Sequence, residues 1–322
     1  MMKANWKFVL TVLRIAALAV ALPLIFWSCG VFHYLLFRET LFLTALVGIF
    51  FLGLWIFGLF FQRAVWILLV SQMFVGIYFL CVTPENSFQN VQWQTPWVRR
   101  PRAEFDLKEK KITFYDVRDF CYKSENDYQV RYLDMTVSPE ELHSLDLAVS
   151  HWDGLESVAH TMLCFNFKNQ KRLVLSMETR IPVGKKQGAV AGLFKQYEII
   201  PVLGTPEDLF DLRIKHRGED FYLYRTNTTP EQMRHLLRSV AVYVNLKPEF
   251  YNTLTRNCTT SLLPLVEVLA LDPIDDFRLV INGFSDQLLF RLGYLHCREG
   301  ETFASLKSRS YIPGKSAGRI VR

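Results

Sequence analysis

Three apolar runs, Phe8–Trp27, Leu41–Phe61 and Ala64–Thr83, crowd the first 83 residues and constrain this chain more than any other feature. A helix needs about 20 apolar residues to cross a hydrocarbon core of about 30 Å, and each run has that length. One such run could be a core helix of a soluble protein. Three in succession, with Arg14 the only charge inside them, predict a three-helix membrane anchor over residues 1–83. A cleaved signal peptide fits less well, because its apolar centre usually spans only about 7–15 residues and no further spans need follow.

Basic residues in the short loops orient the anchor. Lys3 and Lys7 precede the first run and Arg63 lies between the second and third, while Arg38 is in the opposite loop. This places the N-terminus inside and the bulk of the chain outside the cytoplasm, although Arg99, Arg100 and Arg102 pull the other way. Charge also excludes a function class. Five of the 37 basic and one of the 31 acidic residues fall before residue 84, so the remainder is nearly neutral and offers no basic surface for nucleic acid.

Pro84, Pro96 and Pro101 discourage helix and mark a juxtamembrane linker over 84–104, where Trp93 and Trp97 suit either the lipid interface or packing on the domain. Beyond it, strands are expected at 111–117, 128–137, 158–167, 172–179, 198–203 and 220–225, forming one antiparallel sheet. Helices are expected at 139–148, 206–215 and 230–246, the last opened by Thr229-Pro230-Glu231-Gln232, a capping box with proline in the first turn. This is an α+β pattern, with a catalytic domain over 105–297 and a basic tail over 298–322 whose end, from Lys307 to Arg322, is expected to fray or lie at the lipid surface. The six cysteines form no C-x-x-C pair and no metal-ligand spacing, so neither metal nor cofactor is expected. An oxidising compartment would permit a disulfide such as Cys121 with Cys297.

The segment Tyr251-Asn252-Thr253-Leu254-Thr255-Arg256-Asn257-Cys258-Thr259-Thr260 reads as a loop feeding a helix. With Asn257 as N-cap, Cys258 takes the first helical position, where free N–H groups and the helix dipole would favour a thiolate. The bland alternative is a small buried hydrophobe. His160, at the head of an otherwise apolar strand, is the candidate base, the other histidines lying in settings that suit solvation. An orienting acid should come from the neighbouring strand. A three-residue loop of 168–170 sets Glu178 across from His160, and a two-residue loop sets Thr179 there; a carboxylate that fixes the imidazole tautomer favours Glu178.

These residues carry a resemblance. His160-Thr161-x-Leu163, Ser176-Met177-Glu178-Thr179-Arg180, Gln196-Tyr197-Glu198, Glu219-Asp220-Phe221-Tyr222-Leu223-Tyr224 and above all Asn257-Cys258-Thr259-Thr260 resemble the DUF4105 or Lnb-type periplasmic domain family over roughly residues 105–297. The resemblance implies a circularly permuted papain-like (NlpC/P60-type) fold, in which the His strand precedes the Cys helix. It implies lipoprotein N-acylation by a bacterial inner-membrane enzyme whose domain lies on the periplasmic side. Cys258 would take an acyl chain from a phospholipid donor with His160 as base and pass it to the amino group of a lipoprotein acceptor, with the lipid bilayer as third partner. Backbone N–H groups at the start of the Cys258 helix, helped by Asn257 and Thr259, would meet the oxyanion. Ser261 departs from the family pattern, standing where many members carry Arg, and so withholds a basic headgroup contact there. A cysteine peptidase or amidase acting on cell-wall peptides would use the same dyad, and a membrane-anchored binding protein would leave Cys258 and His160 as packing residues.

Overall fold

Each apolar run forms a helix: α1 (Met2–Val31), prolonged by a π-helical turn over Phe32–Leu36, α2 (Leu41–Phe60) and α3 (Gln62–Cys81). All three are long and apolar enough to cross a membrane. The computed structural model describes residues 2–152, 154–266, 276, 278 and 281–314. The chain divides into two compact units, Met1–Val91 with Gln187–Gln196, and Gln92–Lys186 with Tyr197–Arg322.

In the membrane unit Ala21, Ile25, Phe51, Leu68 and Val75 close around Phe194, which comes from the short inserted segment. Phe194 stacks on Tyr34 at 5.2 Å and covers Gly30, where any Cβ would overlap its ring. Lys195 Nζ donates to the carbonyls of Phe79 (2.5 Å) and Val82 (2.8 Å), at the C-terminal end of α3 where such groups lack helical partners. The segment is thus held by packing, stacking and hydrogen bonds within the unit that contains the helices.

The second unit is a ten-stranded sheet with helices on it. Its main strands are β1 (Arg102–Asp106), β2 (Lys111–Arg118), β3 (Tyr132–Val137), β4 (Leu142–His151), β5 (Ala159–Phe167), β6 (Arg172–Arg180), β7 (Glu198–Gly204) and β8 (Asp220–Arg225). They lie in the order β1-β2-β7-β6-β5-β4-β8, with β3 paired to β2 and the short strand Tyr311–Ile312 beyond β8. Pairing is antiparallel except where Arg118 of β2 meets Gly204 of β7 in parallel. Alternation sorts the side chains. Ala148, Met162, Cys164, Val174, Ile200, Val202 and Phe221 form a core with Leu209, Phe210 and Ile214 from α4 (Pro206–Asp211) and the π-helical turn Leu212–Arg217 that follows it. Another helix, α5 (Pro230–Tyr243), has Leu236, Leu237 and Val240 fully buried and starts with the expected capping box, in which Gln232 N donates to Thr229 Oγ1 and Thr229 N donates to Gln232 Oε1.

Several expectations are corrected. The segment 139–148 is not a helix: Pro139–Glu141 make one 3₁₀ turn and β4 follows, an inner strand buried on both faces and so lacking the polar alternation that marks a strand. The linker is not wholly extended, since Pro84–Ser87 and Thr95–Trp97 turn helically, and the sheet begins at Arg102 rather than after 104. Trp97 packs on the sheet core, and Trp93 bridges to Pro182 under the Arg180 guanidinium. The tail contains a helix (Phe303–Ser310) and the strand Tyr311–Ile312 paired to β8, because Leu306 has core to bury in; residues 315–322 lie outside the described residues. His151 is buried rather than solvated, as part of the inner strand β4. All six cysteines, Cys121 and Cys297 included, are free.

The helix α4 is tied to the sheet by an ion pair out of water. Arg118 Nε and Nη2 donate to Asp208 Oδ2 and Oδ1 at 2.9 and 2.7 Å, and Asp208 also accepts from Phe120 N. Replacing one partner strands the other charge. Arg118→Ala is therefore expected to destabilise the protein by about 3–5 kcal/mol, read as a lower thermal midpoint in detergent.

Candidate active site

The β5–β6 hairpin sets the first distance. Phe167 N donates to Lys171 O at 2.9 Å across the three-residue loop 168–170, and Gln170 takes a left-handed conformation (φ 65°) to close it. Pairing then runs from Asn166↔Arg172 to Met162↔Ser176. Two residues further, the same register puts Glu178, not Thr179, beside His160. Their side chains meet with His160 Nε2 3.3 Å from Glu178 Oε1.

Ser176 stands between them. Its Oγ is 2.6 Å from His160 Nε2 and 2.6 Å from Glu178 Oε1. The hydroxyl has one proton, which goes to the carboxylate, so it accepts from His160 and Nε2 must carry a proton. The neutral ring thus has Nδ1 free to take a proton from the thiol. Arg213, carried by the π-helical turn after α4, donates from Nη2 to the same Glu178 oxygen at 3.0 Å and from Nη1 to Leu209 O at 2.9 Å.

Beyond Met162 and Ser176 the two strands part. Residues 159–161 of β5 pair only with β4, and 177–180 of β6 only with β7. The parting leaves one edge of β5 open, and the turn over residues 257–262 presents Cys258 to it. The Cys258 sulfur lies 3.8 Å from Ala159 O, accepts from the Thr161 N–H and is hydrogen-bonded to His160. The turn is shaped by Asn257, whose Oδ1 accepts from the N–H groups of Thr259 and Thr260, both at 3.0 Å. Thr259 Oγ1 bonds Thr161 Oγ1 at 3.0 Å and fastens the turn to β5.

Two expectations change here. Cys258 is not in an α-helix: the helix starts at Leu263, because Pro264 is tolerated only in a first turn. The N-cap geometry of Asn257 is present, but it consumes the N–H groups of Thr259 and Thr260, which are therefore not open to an oxyanion.

Charge is strongly displaced in this cluster. Burial and the Arg213 guanidinium would lower the His160 pKa, but Glu178 and the Cys258 thiolate outweigh them and raise it to about 9. Burial would raise the Cys258 pKa, yet His160 and the Thr161 N–H bring it below the ordinary thiol value. Glu178, despite burial, is held well below the usual carboxylate range by His160 and Arg213. Both shifts favour passing the thiol proton to the imidazole, toward a thiolate–imidazolium pair, the nucleophilic form of cysteine.

Ser176, Arg213 and Asn282 were not anticipated from sequence. Ser176 had a signal, being two residues from Glu178 on the same face of β6. Arg213 and Asn282 had none, since each reaches the site from a distant element. Asn282 Nδ2 donates to the Cys258 sulfur at 3.2 Å.

Residues 128–283 match the family model of the Lnb N-terminal periplasmic domain, a stretch that contains every side chain just described. This stretch is an Lnb-type domain. No curated protein and no solved structure matches the chain. With three membrane-length helices ahead of the Lnb-type domain, the chain is a membrane protein carrying a periplasmic domain.

Two cavities flank the site. One, of about 280 Å³, is walled by Leu145, Leu147, Leu163, Leu236, Leu262 and Leu289 and reaches Thr161 and Thr259 beside the thiol. The other, of about 460 Å³, is polar and reaches Glu178 and Arg213, with Arg118, Tyr122 and Trp97 in its wall. Among the described residues no three His, Cys, Asp or Glu side chains converge on a metal-sized site.

The coupled charges set a pH signature. The depressed Cys258 value means that iodoacetamide should alkylate Cys258 at a lower pH than it does an ordinary thiol. Glu178→Gln removes the charge that holds His160 up; the imidazole pKa falls, the thiol pKa climbs, and the alkylation profile moves to higher pH. Each unit of that climb costs about tenfold in thiolate at neutral pH, measurable by peptide mass spectrometry.

Proposed function

We propose that this protein is an inner-membrane acyltransferase that carries an acyl chain as a thioester on Cys258, from a phospholipid to the N-terminal amine of a lipoprotein. The observation that carries the reading is the leucine-walled cavity ending at Thr161 and Thr259, beside a thiolate. An apolar chamber next to the nucleophile suits an acyl chain, which has no polar group to satisfy along its length.

In the first half-reaction the thiolate attacks the ester carbonyl, the sulfur–carbon bond forms, and the carbonyl π electrons move to oxygen. Collapse of this intermediate expels the lysolipid alkoxide, which takes its proton from the His160 imidazolium. The neutral imidazole then receives a proton from the incoming amine as nitrogen attacks the thioester, and the Cys258 thiolate leaves. Ser176 and Glu178 keep Nε2 protonated throughout, so Nδ1 serves in both directions. The orientation read from the loop charges agrees with action at the periplasmic face. A cysteine hydrolase is the second reading, favoured by the polar cavity at Glu178 and Arg213.

Protein purified from membranes is expected to carry a fatty-acyl mass adduct that hydroxylamine removes, absent from Cys258→Ala. His160→Ala should slow adduct formation from added phospholipid by about 100–10,000-fold. Peptide cleavage without any adduct would transfer the site to the hydrolase reading.

A further inference from the structure

A thiol that attacks a carbonyl needs hydrogen-bond donors where the oxygen becomes negative. The usual source, the N–H groups following the nucleophile, is closed here, because Asn257 Oδ1 occupies those of Thr259 and Thr260. The Thr161 N–H is directed at the sulfur from the edge of β5. Three donors remain beside the thiol: the Thr259 hydroxyl, 3.9 Å from sulfur but engaged with Thr161 Oγ1, the Cys258 N–H, which has no acceptor among the described residues, and the side-chain amide of Asn282, much the nearer side chain at 3.2 Å.

The direction of that amide is decided by its other end. Asn282 Oδ1 accepts from the Ala159 N–H at 3.0 Å, and since an N–H can only donate to oxygen, the NH₂ group is the end turned to sulfur. The turn bearing it is held tightly. Gly283 N donates to Ser157 O at 3.2 Å, and a Cβ at 283 would overlap the Glu156 carbonyl, so only glycine lets Asn282 come this close to β5. The donor is thereby placed before any substrate arrives, as electrostatic preorganisation requires.

We propose that Asn282 Nδ2 and the Cys258 N–H form the oxyanion-binding pair of this site, which makes Asn282 a catalytic residue. The inference rests on the covalent acyl-transfer reading. When Cys258 sulfur bonds to an ester carbonyl carbon, the displaced π pair settles on oxygen; Nδ2–H shifts its hydrogen bond from the spent thiolate to that oxygen, and returns to sulfur as the thioester is discharged. No proton leaves Asn282 at any stage.

Alkylation and acylation separate this role from mere placement of the thiol. Iodoacetamide reacts at a saturated carbon and generates no oxyanion, whereas a p-nitrophenyl hexanoate ester must pass through one. With full-length protein in detergent, compared on the pH plateau of each variant, Asn282→Ala is expected to slow p-nitrophenolate release by about 100–1,000-fold and to leave Cys258 alkylation within about threefold of wild type. Asn282→Asp keeps an oxygen for the Ala159 N–H, guarding against a misfolded turn, but presents an acceptor where the donor stood; it should lose acylation as the alanine variant does. Equal loss of both reactions would reduce Asn282 to a positioning residue and overturn the proposal, as would wild-type acylation in either variant. If the wild-type protein is alkylated but never acylated, the covalent reading itself falls, a result distinct from the other two.

Discussion

An imidazolium buried among strands is costly unless a carboxylate is buried with it, and the carboxylate is costly in turn unless its oxygens are occupied. The site is built around that constraint. Glu178 Oε1 receives Ser176, His160 and Arg213 at once, so one oxygen gathers two strands and the turn after α4. Arg213 weakens the imidazolium by its own charge, but it also donates to the oxygen of Glu178 that Ser176 and His160 share, and so fixes the end of the chain that holds Nε2 protonated. Arg118 and Asp208 repeat the arrangement one layer away, holding α4, and with it the turn bearing Arg213, against the sheet. A change in Glu178 or Arg213 reaches the thiol through the charge on His160, although neither touches sulfur.

The second requirement is room at a strand edge. β5 and β6 pair tightly through Met162 and Ser176 and then separate, so the backbone groups of Ala159 and Thr161 face a gap rather than a neighbouring strand. The Cys258 sulfur takes the place a ladder partner would have had, and the Thr161 N–H that would have donated to a carbonyl donates to sulfur. Asn257, Thr259 and Pro264 shape the turn that delivers it: the first by capping, the second by its bond to Thr161, the third by forbidding an earlier helix. The thiolate therefore owes its stability to His160 and to individual N–H groups, and not to a helix dipole.

Apolar and polar cavities lie at the two ends of this relay, the leucine-walled one at Thr161 and Thr259 and the arginine-bearing one at Glu178. Under the acyl-transfer reading the first suits the chain of an amphiphile. The membrane helices are of a piece with such a substrate, since a donor confined to the bilayer is met in two dimensions rather than searched for in solution. In their own unit those helices enclose Phe194 and Lys195, a segment joined in sequence to β6 and β7, the strands next to the relay.

Hydropathy alone determined the three spans, because the bilayer demands a length of apolar helix that soluble folds seldom supply three times running. Alternation and turn residues located most strands, and loop length set the register that brings Glu178 to His160, since a strand has only two faces and one residue of slip exchanges them. Asn257 was legible as a cap because capping is local. What the sequence could not contain was the outcome of contacts between distant residues. β4 looked helical because burial on both faces erases alternation. The parting of β5 from β6, the approach of Arg213 to Glu178 and the placement of Asn282 against Cys258 arise from packing across 24 to 99 residues of chain, where no local preference carries a signal and only the folded sheet decides which side chains meet.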